Sequence, residues 1–292
     1  GAEFELVWSD GEFTEGPVVA ADGAILFSDI GNKIWRFDPD RDKTTVFRDP
    51  SGRSNGLFFD ANGRLIACEG ANTGGRRRIS VTESDGTVRT LADAYDGKRF
   101  NSPNDLAVDA AGRVYFTDPR YVGDEPRELD FEAVFLVTPD GDVRIASDEV
   151  EKPNGIVISP DGETVYVADH NPAGHRQLLA FSVAADGRLE NKRVLFDFGE
   201  RRGIDGMTID TEGNVYATAG DGARLGIYVY GPGGEPLAFL ATPGTPTNCV
   251  FGAGDGEKTL YVTAGVPADS DAAGNFGLYR IGLKKAGFRL FP

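Results

Sequence analysis

One short pattern occurs six times along this chain and constrains its fold more than any other feature. In each copy a polar residue, here called the reference residue, precedes a short apolar run and a glycine-containing turn eight positions later. The six reference residues are Glu15, Asn55, Asn104, Asn154, Asp205 and Asn248. They lie 40, 49, 50, 51 and 43 positions apart. A repeat of roughly 40–50 residues is typical of propellers and solenoids.

The segments between reference residues predict four strands per repeat and no helix. In the fourth repeat the apolar runs are 156–159, 164–168, 177–183 and 192–196, and they are rich in Val, Ile, Phe and Tyr. Such runs are typical of half-buried strands. We therefore predict an all-β chain, a six-bladed β-propeller with four-stranded antiparallel blades, formed by one domain over residues 1–292. Two terminal segments, 4–8 and 288–291, compete for the place of the strand that closes the last blade.

Charge and composition exclude several classes of function. The formal net charge of -16 disfavours nucleic acid, whose phosphates need a basic surface. No run of eighteen apolar residues occurs, so a membrane-spanning helix is not expected. Cys68 and Cys249 lie inside apolar segments, which indicates buried free thiols rather than a disulfide. Without an apolar leader we expect a cytoplasmic protein, or a periplasmic one if a signal peptide was removed.

The reference residues gain a meaning from the predicted fold. The first strand of each propeller blade lines the central channel, so all six residues should point toward one axis. Carboxylate and amide oxygens suit a hard cation such as Ca²⁺ and predict a central metal channel. An Asn-Gly pair can also be an ordinary turn, which is the alternative reading of Asn55 and Asn154. Two of the six reference residues are acids, and burying unpaired carboxylates is energetically costly. This favours a ring of metal ligands over a set of ordinary turns.

Further polar residues are weaker candidates. Second strands are predicted to end at acids, namely Asp29, Glu69, Asp118 and Asp169, near the same channel mouth. Of these, Asp118 is a candidate substrate contact, although acids commonly end strands for structural reasons alone. His170 is a candidate substrate contact that would line the channel mouth. The alternative reading is a solvated histidine in a loop. Longer loops at 121–132, 170–176 and 266–275 should emerge on one face.

Four motifs resemble those of the gluconolactonase, senescence marker protein and luciferin-regenerating enzyme family. They occur in order and in phase with the repeat: Glu15-Gly16-Pro17, Ser102-Pro103-Asn104-Asp105, Pro153-Asn154-Gly155 and Ile204-Asp205-Gly206-Met207. The likeness extends over the whole chain, and the bacterial gluconolactonase-like branch is the more similar one. Where the senescence marker branch has an Arg two residues before the Asn, this chain has Ser102.

The resemblance implies one divalent metal ion in the channel. It implies that Glu15, Asn154 and Asp205 bind this metal, that Asp205 is also catalytic, and that Asn104 touches metal or substrate. Ca²⁺ is the first expectation, with Mn²⁺, Mg²⁺ and Zn²⁺ as alternatives. Asn55 and Asn248 are then expected to hydrogen-bond the substrate.

The function predicted from these residues is metal-dependent hydrolysis of the lactone of a sugar acid. One alternative is a metal-dependent phosphotriesterase like diisopropyl fluorophosphatase, and another is a non-catalytic propeller that binds calcium or sugar. No nucleophile elbow, P-loop or dinucleotide motif occurs in a supporting context. The expected partner is a small lactone, and the expected state is a monomer or weak homodimer.

Overall fold

A computed structural model describes residues 3–72, 74–267, 270 and 272–291 of the chain. Six four-stranded antiparallel sheets form the blades of a β-propeller, which confirms the predicted fold class. Each sheet has only four strands, which are short apolar runs separated by turns that contain glycine. Each sheet can bury its two faces only against neighbouring sheets, and the ring of blades satisfies this need.

The blades follow one another in chain order. Blade one contains β2 (Thr14–Val19), β3 (Ile25–Asp29), β4 (Lys33–Asp38) and β5 (Lys43–Arg48). Blade two contains β6 (Ser54–Phe59), β7 (Leu65–Glu69), β8 (Arg78–Thr82) and β9 (Val88–Ala92). Blade three contains β12 (Leu106–Val108), β13 (Val114–Thr117), β14 (Val134–Val137) and β15 (Val143–Ser147).

The remaining blades repeat this arrangement. Blade four contains β16 (Pro153–Ile158), β17 (Thr164–His170), β18 (Arg176–Val183) and β19 (Leu189–Asp197). Blade five contains β20 (Met207–Ile209), β21 (Val215–Ala219), β22 (Gly226–Tyr230) and β23 (Pro236–Ala241). Blade six contains β24 (Pro246–Phe251), β25 (Thr259–Gly265), β26 (Phe276–Gly282) and the N-terminal β1 (Glu5–Gly11).

The N-terminal segment closes the ring. β1 pairs antiparallel with β26, with Leu6 opposite Tyr279, and so becomes the outer strand of the last blade. Of the two competing terminal segments, 4–8 therefore takes the closing place. Segment 288–291 instead crosses the opposite face, where the amide of Phe288 donates to the carbonyl of Ile209 at 3.0 Å. Closure in this way joins the two ends of the chain and covers an edge of blade six.

Three small elements lie outside the predicted pattern. Residues Ala94–Tyr95 (β10) and Lys98–Arg99 (β11) form a two-stranded hairpin around the Asp96-Gly97 turn. Both turn residues have positive φ, as an Asp-Gly hairpin turn requires. The helices described are single 3-10 turns at Gly222–Arg224 and Gly254–Gly256. None of the described helices has the length and apolar character needed to cross a membrane.

The hydrophobic core is divided among the junctions between blades. Each of the six junctions holds one apolar cluster built from the facing sides of two neighbouring sheets. Between blades two and three, for example, Phe100, Phe116 and Phe135 are fully buried and in ring contact. Cys68 and Cys249 lie in such clusters as buried free thiols, as predicted.

The two faces of the propeller differ in chemistry. The first strands of the blades contact one another around the axis. Their N-terminal ends, with the loops 121–132 and 170–176, lie on the face called the mouth here. The third predicted loop, 266–275, includes positions 268, 269 and 271, which lie outside the described residues. At the opposite face a largely apolar chamber of about 560 Å³ extends into the channel, with segment 288–291 in its wall.

Candidate functional site

Strand pairing fixes which residues are equivalent around the axis. The backbone N–H groups of Asp105, Gly206 and Asn248 each donate to the hydroxyl of a threonine in the second strand of the same blade. These threonines are Thr117, Thr218 and Thr263. Asn248 is thus equivalent to Gly206, and Thr247 is the residue equivalent to Asp205. The sequence alignment of blade six was therefore wrong by one residue.

This register gives Asp105 and Asn248 a special place. In the other four blades the equivalent residue is a glycine, at positions 16, 56, 155 and 206. A Cβ on Gly206 would lie 2.0 Å from Cγ of Asn248, and one on Gly56 would lie 2.6 Å from Oδ1 of Asp105. The glycines of neighbouring blades therefore leave the space into which these two polar side chains project across the channel.

Three carboxyl groups share the channel. Glu15 is only 3% exposed, and its Oε2 accepts the backbone N–H of Gly16 at 2.9 Å. Burial raises the pKa of the Glu15 carboxyl well above its usual range, and the charges of Asp205 and Asp105 raise it further. Burial also raises the pKa of Asp105 to about 7. The side-chain amide of Asn248 offsets part of both pKa shifts by hydrogen bonding.

Asp205 is held from two sides. Its Oδ1 accepts the Nδ2–H of Asn154 at 2.9 Å, and its Oδ2 accepts an Nη2–H of Arg202 at 2.7 Å. The same Arg202 nitrogen also donates to the carbonyl oxygen of Pro246 at 2.9 Å. Asn154 is 6% exposed, so this chain of hydrogen bonds joins blades four, five and six at the mouth of the channel.

Two further asparagines line the same mouth. Oδ1 of Asn55 is buried and has no hydrogen-bond partner among the described residues. Asn104 is half-buried, and its backbone carbonyl accepts the N–H of Gly56 at 2.7 Å. Buried acceptors without partners are uncommon in folded proteins and indicate that something else is bound. The free oxygen of Asn55 therefore points to a donor or a cation.

His170 lines the mouth rather than standing in solvent. Its Nδ1 lies 2.8 Å from the carbonyl oxygen of Ile204, which can only accept, so Nδ1 carries a hydrogen. Burial lowers the pKa of the His170 imidazole, which keeps the ring neutral near pH 7. The other ring nitrogen is then an acceptor. The hydroxyl of Tyr121 donates to the carbonyl oxygen of His170 at 2.9 Å and fixes the loop beside it.

Three of the four acids that end the second strands share a structural role, whereas Glu69 forms ion pairs with two arginines. Both oxygens of Asp118 accept backbone N–H groups, from Asn101 and Ser102, at 2.7 Å each. In the same way Asp29 accepts from the segment at 12–13, and Asp169 from the segment at 151–152. Each of these three carboxylates thus holds the segment that leads into the first strand of its blade. The substrate contact of Asp118 stays a prediction. The geometry does not favour it, because both carboxylate oxygens already accept backbone N–H groups.

The side chains around the channel offer mainly oxygen atoms to a divalent metal ion. Within the described parts of the chain, no three acidic, histidine or cysteine side chains form a group that could hold a metal ion. A site would therefore need amide oxygens as well as the carboxylates of Glu15 and Asp205. The unpartnered Oδ1 of Asn55 and the mutual repulsion of buried acids fit a hard cation with oxygen ligands.

Sequence reasoning missed two residues of this site. Asp105 belongs to the motif at 102–105, but only the structure shows that its side chain projects into the channel. A signal was present, since the residue after the reference residue is glycine at positions 16, 56, 155 and 206 but aspartate in the third repeat. Arg202 has no such signal. Its role depends on where the loop before β20 brings its guanidinium.

Several known proteins are similar to most of the chain. A family model described as the SMP-30/gluconolactonase/LRE-like region matches residues 13–266. A gluconolactonase of Zymomonas mobilis is 34% identical over 286 residues, which cover 89% of this chain and 78% of that protein. A regucalcin of Oryctolagus cuniculus is 29% identical, with coverage of 92% and 91%. The solved structure of a gluconolactonase from Xanthomonas campestris matches with a TM-score of 0.82 at 28% identity, with coverage of 97% and 90%.

Proposed function

Because the chain belongs to the SMP-30/gluconolactonase/LRE-like family, we propose that it is a metal-dependent lactonase that opens the lactone ring of a sugar acid. The relatives named as gluconolactonases support lactone hydrolysis as the reaction class. The observation that carries the proposal is the hydrogen bond from Asn154 to Asp205, beside the buried carboxyl of Glu15. It puts an oriented carboxylate at the mouth of a channel lined with oxygen atoms.

Four residues would hold the metal ion in this proposal, namely Glu15, Asn104, Asn154 and Asp205. All supply oxygen atoms, so Ca²⁺ is the first candidate, and Mn²⁺, Mg²⁺ and Zn²⁺ are the alternatives. When bound, the metal would polarise the lactone carbonyl and stabilise the oxyanion that develops on it. The burial of Glu15 and Asn154, which are 3% and 6% exposed, strengthens such electrostatic interactions.

Asp205 is the proposed general base. It would accept a proton from a water molecule while the water oxygen forms a bond to the carbonyl carbon. The ring C–O bond then breaks, and the departing ring oxygen takes up the proton from Asp205 to become a hydroxyl. Asn154 and Arg202 hold the two carboxylate oxygens of Asp205, so its orientation does not have to be established during the reaction.

Polar groups at the mouth would select the substrate. Asn55 and Asn248, with the acceptor nitrogen of His170, are proposed to hydrogen-bond hydroxyl groups of the sugar acid lactone. The formal net charge of -16 suits a neutral lactone. Hydrolysis yields a carboxylate, and the same negative charge would favour its release.

The proposal is tested with chelator-treated protein assayed against a panel of sugar lactones and organophosphate triesters. Each divalent ion is added back separately. We expect lactone hydrolysis that requires an added ion, and a loss of roughly 10²–10⁴-fold in Asp205→Ala. Asp124→Asn, an exposed acid on the same face, is the matched control and should keep full activity.

Other outcomes would identify other functions. Turnover of the triesters but not of the lactones would favour a phosphotriesterase. Thermal stabilisation by calcium or sugar lactones without hydrolysis would favour a binding protein. Full metal-dependent activity in Asp205→Ala would remove Asp205 from its proposed role.

A further inference from the structure

Arg202 occupies an unusual position for a cationic side chain. Its guanidinium is 21% exposed, lies in the loop that leads into β20, and contacts Oδ2 of Asp205 at 2.7 Å. A second bond to the carbonyl oxygen of Pro246 fixes its orientation across the junction of blades five and six. Its backbone N–H donates to Asp221 at 3.1 Å, which anchors the loop itself. The guanidinium thus stands at the rim of the ring of oxygen atoms that the proposed metal would use.

The contacts of Arg202 are incomplete. Its Nη1 is buried and has no hydrogen-bond partner among the described residues. A structural ion pair normally satisfies its donors, because a buried donor without a partner is destabilising. The contact with Asp205 therefore leaves Nη1 of the guanidinium buried without a hydrogen-bond partner. This points to a role of Arg202 at the site rather than in packing.

We propose that Arg202 is an internal counter-cation of Asp205, which positions this carboxylate and weakens the affinity of the channel for a divalent metal ion. This inference rests on the proposed metal-dependent function. Asn154 and Arg202 divide the two oxygens of Asp205 between them. A cation that uses Asp205 as a ligand must share the carboxylate with a positive charge that is already there.

Charge repulsion gives the sign of the effect. Two like charges on either side of one carboxylate repel each other, and partial burial keeps this repulsion from being screened by salt. The positive charge of Arg202 also acts on His170, where it contributes to lowering the pKa of the imidazole. Removing the charge should therefore tighten metal binding while leaving Asp205 less well oriented. A purely structural arginine predicts the opposite, namely weaker binding in a loosened site.

The test compares metal dissociation constants in chelator-treated protein, measured by calorimetry and by competition with a chromophoric chelator. Arg202→Met removes the charge and keeps most of the length of the side chain. Arg202→Lys keeps the charge but loses the planar guanidinium with its several N–H donors. We expect Arg202→Met to bind Ca²⁺ and Mn²⁺ roughly ten-fold or more tightly than the wild-type chain. Arg202→Lys should stay within about three-fold of the wild-type constant. The exposed neighbour Arg201→Met is the matched control and should change nothing.

Steady-state kinetics on a lactone supply the second readout. We expect kcat to fall in Arg202→Met with a smaller change in KM, and Arg202→Lys to recover part of kcat. Unchanged or weaker metal binding in folded Arg202→Met, or an equal effect of Arg201→Met, would overturn the inference. If Arg202→Met does not fold, Arg202→Gln carries the same test. A wild-type chain that binds no divalent ion would instead overturn the proposed metal-dependent function, so the two failures are distinguishable.

Discussion

Replacing Asp105 by Asn removes one negative charge from the channel and keeps the size of the side chain. The Oδ1 atom that accepts the N–H of Leu106 at 2.9 Å is also kept. Burial raises the pKa of Asp105 from 3.8 to about 7 in the protein without metal. Between these pH values the native chain holds a proton that the unfolded chain has released. Its free energy of unfolding therefore falls as the pH rises.

The magnitude follows from the size of this pKa change. A rise of about three pH units corresponds to about 4 kcal/mol, and about 3 kcal/mol of it falls between pH 5 and pH 8. The stabilisation is present below a pH of about 4 and is lost as the pH rises through about 7. In Asp105→Asn no proton is released at this position, so this part of the pH dependence should disappear.

Urea unfolding in the presence of a chelator measures the effect. We expect Asp105→Asn to exceed the wild-type free energy of unfolding by roughly 1–2 kcal/mol at pH 5 and by about 4 kcal/mol at pH 8. Asp140→Asn, an exposed acid in a turn of blade three, is the control and should leave both values unchanged. Equal pH dependence in the wild-type chain and Asp105→Asn would refute the electrostatic account of the channel.

Three further predictions concern the supports of the site and the two buried thiols. Asp118→Ala leaves two backbone N–H groups without an acceptor and should lower the free energy of unfolding by roughly 2–4 kcal/mol. A change in KM alone, at unchanged stability in urea, would instead support the substrate contact. Gly206→Ala puts a Cβ against the side-chain amide of Asn248. We expect this variant to lower the free energy of unfolding by about 1–3 kcal/mol and to reduce lactone hydrolysis. Wild-type activity in Gly206→Ala would contradict this expectation. Burial raises the pKa of the Cys68 and Cys249 thiols, so a thiol reagent should label neither in the native protein and both in denaturant.

The pattern of polar reference residues predicted which polar side chains lie around the channel, because one strand per blade faces the axis of a propeller. Glu15, Asn154 and Asp205 lie at the mouth of the channel in the register expected from the repeat. Blade six shows the limit of this reasoning. Thr247 and Asn248 are both polar and adjacent, so spacing to the next turn could not decide between them. The hydrogen bond from Asn248 to Thr263 decides it.

The sequence by itself determined the number of blades, the antiparallel strands and the ring of polar residues, because these depend on local periodicity and on turns at fixed offsets. Only the tertiary structure decided which terminus closes the ring, since both terminal segments are apolar and the choice depends on which one reaches β26. The tertiary structure also decided that Asp105 projects into space left by a neighbouring glycine and that Arg202 pairs with Asp205. Both facts depend on contacts between different blades, and the spacing of residues within one repeat carries no information about such contacts.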